Sequence, residues 1–156
     1  MRKPLILLLS LALGSCKSET KDKESLKDLF PSASEQTSTS SPTAEHPPEV
    51  AESISRGAGI YNNFCATCHL GSGKGIPNAF PPLNNSSWLK EKREASISAV
   101  KNGLTGPIEV NGKEYNSVMT DLGLTDQEVA DVMNYIFTSW DNYIEPPVTV
   151  EEVAEL

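Results

Sequence analysis

The chain has 156 residues, with 13 Lys and Arg against 21 Asp and Glu and a formal charge of −8. That length holds one domain plus extra segments, and the acidic balance argues against nucleic acid or an anionic bilayer as a partner. Composition changes along the chain, so the segments are taken in order.

Residues 1–15 start basic at Arg2 and Lys3, run apolar from Leu5 to Leu13 and end in small residues. This is the layout of a secretory signal peptide, with an apolar run too short to span a bilayer. The ending "LGSC" resembles the bacterial lipobox, which implies cleavage before Cys16 and a thioether-linked lipid on it. The alternative is an ordinary cleaved signal with a free Cys16 thiol, a liability in an oxidising compartment. Two or more acyl chains on one residue anchor stably, so the expected product is exported, tethered at a bacterial membrane and facing the periplasm. Lys17 stands where the inner-membrane retention signal usually has Asp, which favours the outer membrane. Loss of Arg2 and Lys3 with the signal moves the formal charge from −8 to −10.

Cys16 opens a stalk over 16–49, rich in Ser, Thr, Glu, Lys and Pro. Such a segment cannot bury enough surface to offset its ordering entropy. As a random coil of roughly 33 residues it spans on the order of 30 Å. His46, in "AEHPPE", is expected as a solvated stalk residue.

Residues 50–145 carry the pattern of an all-α globular domain of three to five helices. Ile54, Ala58, Tyr61 and Phe64 predict a helix over roughly 50–64, with Gly57 inside it marking a close approach of another backbone. "SSWLKEK" and "REASISAVKNG" predict two short helices, the second stopped at Asn102 and Gly103. "IEVNGKEY" predicts a small hairpin turning at Asn-Gly. In "LTDQEVADVMNYIFTSW", Thr125 and Glu128 form a capping box, and Val129, Val132, Met133 and Ile136 make a buried stripe. Residues 146–156 are expected as an acidic C-terminal tail.

The chemistry concentrates in "CATCH", Cys65 to His69. A thioredoxin-type redox pair needs a βαβ context, which is missing, and a plain disulfide leaves His69 unexplained. A structural zinc site needs four ligands, and the fourth would have to be His46 or Cys16. Covalent haem c uses every residue: Cys65 and Cys68 as thioethers to the vinyl groups, and His69 as axial ligand to the iron. The haem also supplies core that a domain this small lacks. For the second axial position the candidates are Met119, in the loop "NSVMTDLG", and Met133, on the apolar stripe. Met119, fifty residues after His69, has the chain length to pass round the haem edge and is the expected ligand.

Together these residues resemble the class I c-type cytochromes over roughly residues 50–145. Gly57 and Tyr61 stand eight and four residues before Cys65, where that family has Gly and an aromatic. The resemblance implies that Tyr61 meets Tyr135, with Val132 one turn earlier, and that Gly57 lets the first and last helices cross closely. "FPPL" resembles the segment whose proline carbonyl accepts the proximal imidazole N–H, here Pro81 or Pro82. Trp88 is implied as part of the haem environment. "GLTGPIEVNGKEYNSVM" resembles the small cytochrome domains of oxidases and copper nitrite reductases. Where the family often has Pro after the axial Met, this chain has Thr120.

The implied function is a membrane-tethered monohaem electron carrier, not itself an enzyme, docking redox proteins that present a basic surface. Alternatives are a fixed electron-entry subunit of an oxidase, reductase or dehydrogenase, and a gas or redox sensor with an open iron site.

Overall fold

The computed structural model describes residues 46–156; the signal peptide, Cys16 and most of the segment read as a stalk lie outside the described residues. Pro48 begins α1 (Pro48–Ile60), where a missing N–H is harmless and Glu49 complements the positive helix end. The helix then continues through a π-helical turn, Tyr61–Cys65, into α2 (Ala66–His69). The wide turn resets the helix face, so that Tyr61 and Cys65 are both buried. Leu70, at φ 63°, ends the rod.

Two short helices follow. In α3 (Ser87–Glu91) the Ser86 Oγ accepts from Leu89 N–H at 3.4 Å, and α4 (Arg93–Asn102) stops at Gly103, with φ +78°. Strands β1 (Ile108–Val110) and β2 (Lys113–Tyr115) pair antiparallel with Ile108 opposite Tyr115. Asn111 and Gly112, at φ 53° and 75°, make the turn that their pair predicts. In α5 (Asp126–Thr138) the capping box is complete: Thr125 Oγ1 accepts from Glu128 N–H and Glu128 Oε2 accepts from Thr125 N–H. Counting the rod once, the described residues form five helices and one two-stranded hairpin, the all-α class expected.

The core lies where α1 crosses α5. A Cβ on Gly57 would stand 2.0 Å from the Asp131 carbonyl oxygen and 2.9 Å from Tyr135 Cβ, so only glycine admits this contact. The α5 stripe of Val129, Val132, Met133 and Ile136 is buried behind it. Tyr61 packs its ring 5.3 Å from Tyr135 and 5.1 Å from Trp140 and donates its hydroxyl to Leu70 O at 2.7 Å.

A buried polar knot sits at the same crossing. Asp131, 2% exposed, accepts from Ser53 Oγ at 2.7 Å, Arg56 Nε at 2.7 Å, Arg56 Nη2 at 2.8 Å and Gln127 Nε2 at 3.0 Å. Burial by itself would raise this carboxyl. The bonds from Arg56, Ser53 and Gln127, with the Arg56 charge, outweigh it and hold the group below the usual carboxylate range.

Residues 146–156 differ from the expected acidic tail. They include α6 (Val150–Ala154), with Val148 and Val153 buried. Arg93 grips Glu152 through two bonds of 2.7 and 2.9 Å, and Lys101 Nζ donates to Val153 O at 2.8 Å. Asn134 holds Val148 through both its N–H and its carbonyl. Glu152, counted with that tail, has its basic partner Arg93 on α4, a long-range match that local pattern does not display. His46 also differs from a solvated stalk residue: its side chain is 20% exposed and stands 3.9 Å from Glu145.

Two expectations follow. Gly57→Ala should lower stability by about 3 kcal/mol or more, since backbone must move to admit the methyl. Gly59→Ala, with nothing within 4 Å, should be neutral or stabilising by about 0.5–1 kcal/mol; guanidinium unfolding of the two reads the difference. Because the Asp131 pKa is depressed on folding, its stabilisation is complete above the unfolded value of about 3.9 and lost as pH falls through the folded one. Asp131→Asn should therefore be less stable at neutral pH and show a flatter acid limb in pH-dependent thermal unfolding.

Candidate functional site

Cys65 closes the π turn, and Cys68 and His69 lie on α2, so a single rigid rod carries all three. His69 is 9% exposed. Its Nδ1 stands 3.0 Å from the Pro81 carbonyl, which makes Nδ1 the donor and leaves Nε2 as the ring's remaining ligand atom. Burial lowers the pKa of this imidazole more than the Pro81 bond raises it, so the ring is held neutral.

The Pro81 carbonyl is itself fixed. Gly75, at φ +63°, donates its N–H to His69 O at 3.0 Å. A Cβ on Gly75 would stand 2.3 Å from Phe80 O and 2.6 Å from Pro81 O. Ile76 and Phe80 close a tight turn through paired backbone bonds of 2.9 and 2.8 Å. A second glycine, Gly73, lies against the Trp140 ring, where a Cβ would stand 2.7 Å away.

Across from this wall, Met119 exchanges two backbone bonds with Leu104, of 2.8 and 2.9 Å. Gly103 lets that pair approach: a Cβ there would meet Met119 O at 2.7 Å and Asp121 N at 2.8 Å. Between the walls lies an apolar cleft of two lobes. The larger encloses about 750 Å³ of free space, its open mouth included. Cys65, His69, Pro81, Leu104, Ile108 and Met119 line both lobes, so the two are one continuous slot. No Asp, Glu, Lys or Arg lines either lobe.

The slot thus brings Cys65, His69, Pro81 and Met119 together, with Cys68 on the larger lobe alone. Trp88 and Met133 line only the smaller lobe, and Pro82 lines neither. Sequence reading missed Leu104, Ile108, Tyr115 and Ser117, which also line it. The local signal for this wall was Gly103, whose positive φ reserves it for a turn.

The donor set fits a large, flat, apolar group with two sulfur attachment points and a metal that takes nitrogen and thioether ligands. It does not fit the alternatives. Burial, with Cys68 adding a smaller effect, pushes the Cys65 thiol up to about 11, the reverse of an activated redox thiolate. Among the described residues no three His, Cys, Asp or Glu side chains are grouped to hold a bare metal ion.

Comparison with known proteins agrees. The sequence profile of the cytochrome c family matches residues 54–140. Cytochrome c-552 of Thermus thermophilus is 44% identical over 109 residues, covering 64% of this chain and 82% of that one. The cytochrome c subunit of the quinone alcohol dehydrogenase of Gluconacetobacter polyoxogenes is 32% identical over 104 residues, covering 64% of this chain and 22% of its own. The Cbb3-type cytochrome c oxidase subunit CcoP of Rhodobacter capsulatus is 28% identical over 97 residues, covering 60% and 32%. The fold and site define a class I c-type cytochrome. This chain belongs to the cytochrome c family, and its cofactor is covalently bound haem c with its iron.

Gly75→Ala should displace the Pro81 carbonyl from His69 Nδ1, weaken the imidazole as a donor and raise the reduction potential of the holoprotein. Gly71→Ala, in open space, should leave it unchanged in the same potentiometric titration.

Proposed function

We propose that this chain carries single electrons between respiratory redox proteins while tethered to a bacterial membrane. The observation that supports this most is that His69 and Met119 line one uncharged cleft from separately braced walls. Cys65 and Cys68 would hold the haem as thioethers, and His69 Nε2 and Met119 Sδ would hold its iron. Bound there, haem c supplies a one-electron change between Fe(III) and Fe(II). The chain's own part is positional: the Pro81 carbonyl orients the imidazole, the Leu104 bridge holds Met119, and the apolar lining keeps water from the metal. With His69 and Met119 as the ligands and no Asp, Glu, Lys or Arg in the lining, the site would suit electron transfer and not substrate chemistry.

Anchoring and partners extend the same reading. The lipid on Cys16 and the segment after it would hold the domain at the membrane on the periplasmic side, the outer membrane being favoured. Among the described residues no helix is long and apolar enough to cross a membrane. The acidic charge would draw a redox partner with a basic docking surface, while close contact at the cleft mouth falls on exposed Phe64 and Val118. A second reading, a fixed subunit of a larger complex, is favoured by relatives that are named as subunits of a dehydrogenase and an oxidase.

The ferric holoprotein should show the sulfur-to-iron charge-transfer band, lost in Met119→Ala and kept in Met133→Leu. Wild-type protein without the band, or reduced protein that binds CO readily at neutral pH, would overturn the His/Met assignment. A haem domain freed of residues 1–45 that supported respiration as well as the full chain would overturn the tethered-carrier reading. A stable co-purifying complex would favour the subunit.

A further inference from the structure

Ser117 lines the larger lobe of the cleft two residues before Met119, and its hydroxyl donates to the Ala79 carbonyl. Ala79 belongs to the tight Ile76–Phe80 turn, and Pro81, whose carbonyl takes the His69 Nδ1 bond, follows directly. This side-chain bond therefore joins the segment that carries Met119 to the segment that orients His69. The two segments are 38 residues apart in sequence at this bond.

The bond sits where the Met119 strand needs it. Beyond Met119 the chain is held by backbone alone: Leu104 pairs with Met119, and Gly103 abuts Met119 and Asp121. Thr120 supplies none of the φ restriction that a proline would. Before Met119 the hairpin pairing ends at Tyr115 and Val118 is 65% exposed, so between the hairpin and Met119 it is the Ser117 bond that fastens the segment.

We propose that Ser117 is a positioning residue: its hydroxyl latches the Met119 loop to the turn that carries Pro81 and so disfavours departure of the Met119 thioether. This rests on the His/Met reading above. The latch acts on the balance between two arrangements of the Met119 loop, thioether toward His69 or turned away, and adds to the first the bond that the second lacks. A net hydrogen bond shifts such a balance by about five- to tenfold.

The test uses ferric holoprotein titrated with imidazole, which competes with the methionine and reads that balance directly. Ser117→Ala should bind imidazole about five- to tenfold more tightly than wild type, whereas Ser117→Thr, which restores a hydroxyl, should return toward wild type. A structural role alone would lower the unfolding midpoint and leave imidazole affinity where it was, so guanidinium unfolding is measured on the same samples. Equal imidazole affinity in wild type and Ser117→Ala, with the charge-transfer band present in both, would overturn the latch and leave the His/Met reading standing. Absence of the band from wild type would overturn that reading instead.

Discussion

The structure depends on a backbone-to-backbone contact where α1 meets α5 at Gly57. With the Asp131 carbonyl only 2.0 Å from where a Cβ would be, the two backbones approach too closely for any side chain at position 57. That approach brings Tyr61 against Tyr135 and Trp140, and brings Ser53 and Arg56 onto Asp131. Because α1 runs into the π turn and α2 as one rod, fixing its middle also fixes Cys65, Cys68 and His69 at its end. The buried Asp131 makes this crossing specific as well as tight. A carboxylate at 2% exposure is tolerable only where Arg56, Ser53 and Gln127 reach it, and one turn of slip would leave it unpaired.

The site itself is an exercise in keeping charge out while placing a few polar atoms. Neutral imidazole, cysteine sulfur and a methionine thioether line the slot, and Asp, Glu, Lys and Arg are absent from it. In such low dielectric surroundings, a change of one charge on bound iron is felt strongly by each nearby dipole, the Pro81 carbonyl first among them. The reorganisation that would slow electron transfer is small when those dipoles are already anchored, as Gly75 and the Ile76–Phe80 turn anchor Pro81.

Local pattern made most of this fold legible. The capping box at Thr125, the Asn-Gly turn and the α5 stripe are encoded within a few residues, and each stands where its spacing puts it. Gly57 was legible as a point of close approach because a glycine inside a helix needs a reason. The failures share a cause. The segment from 146 to 156 reads as an acidic tail, but Glu152 is paired to Arg93, 59 residues earlier. The wall built by Leu104, Ile108 and Ser117 is invisible for the same reason, since two isolated loop residues and the first residue of a three-residue strand carry no period. Choosing Pro81 over Pro82 required the direction of one carbonyl, which no composition reports.

The C-terminal segment also changes how the cleft is held. Ser96, Ala99 and Val100 of α4 line its smaller lobe, and the same helix is gripped by the α6 segment through Arg93 and Lys101. Arg93 adds its guanidinium over the Phe137 ring at 5.2 Å, tying α4 to α5 as well. One short amphipathic turn near the end of the chain thus braces a wall of the haem slot from outside. Glu152, which in sequence adds only to net charge, acts locally as the counterion of that brace. Among the acidic residues left exposed at the surface are Glu109 and Glu114, which face each other across the hairpin.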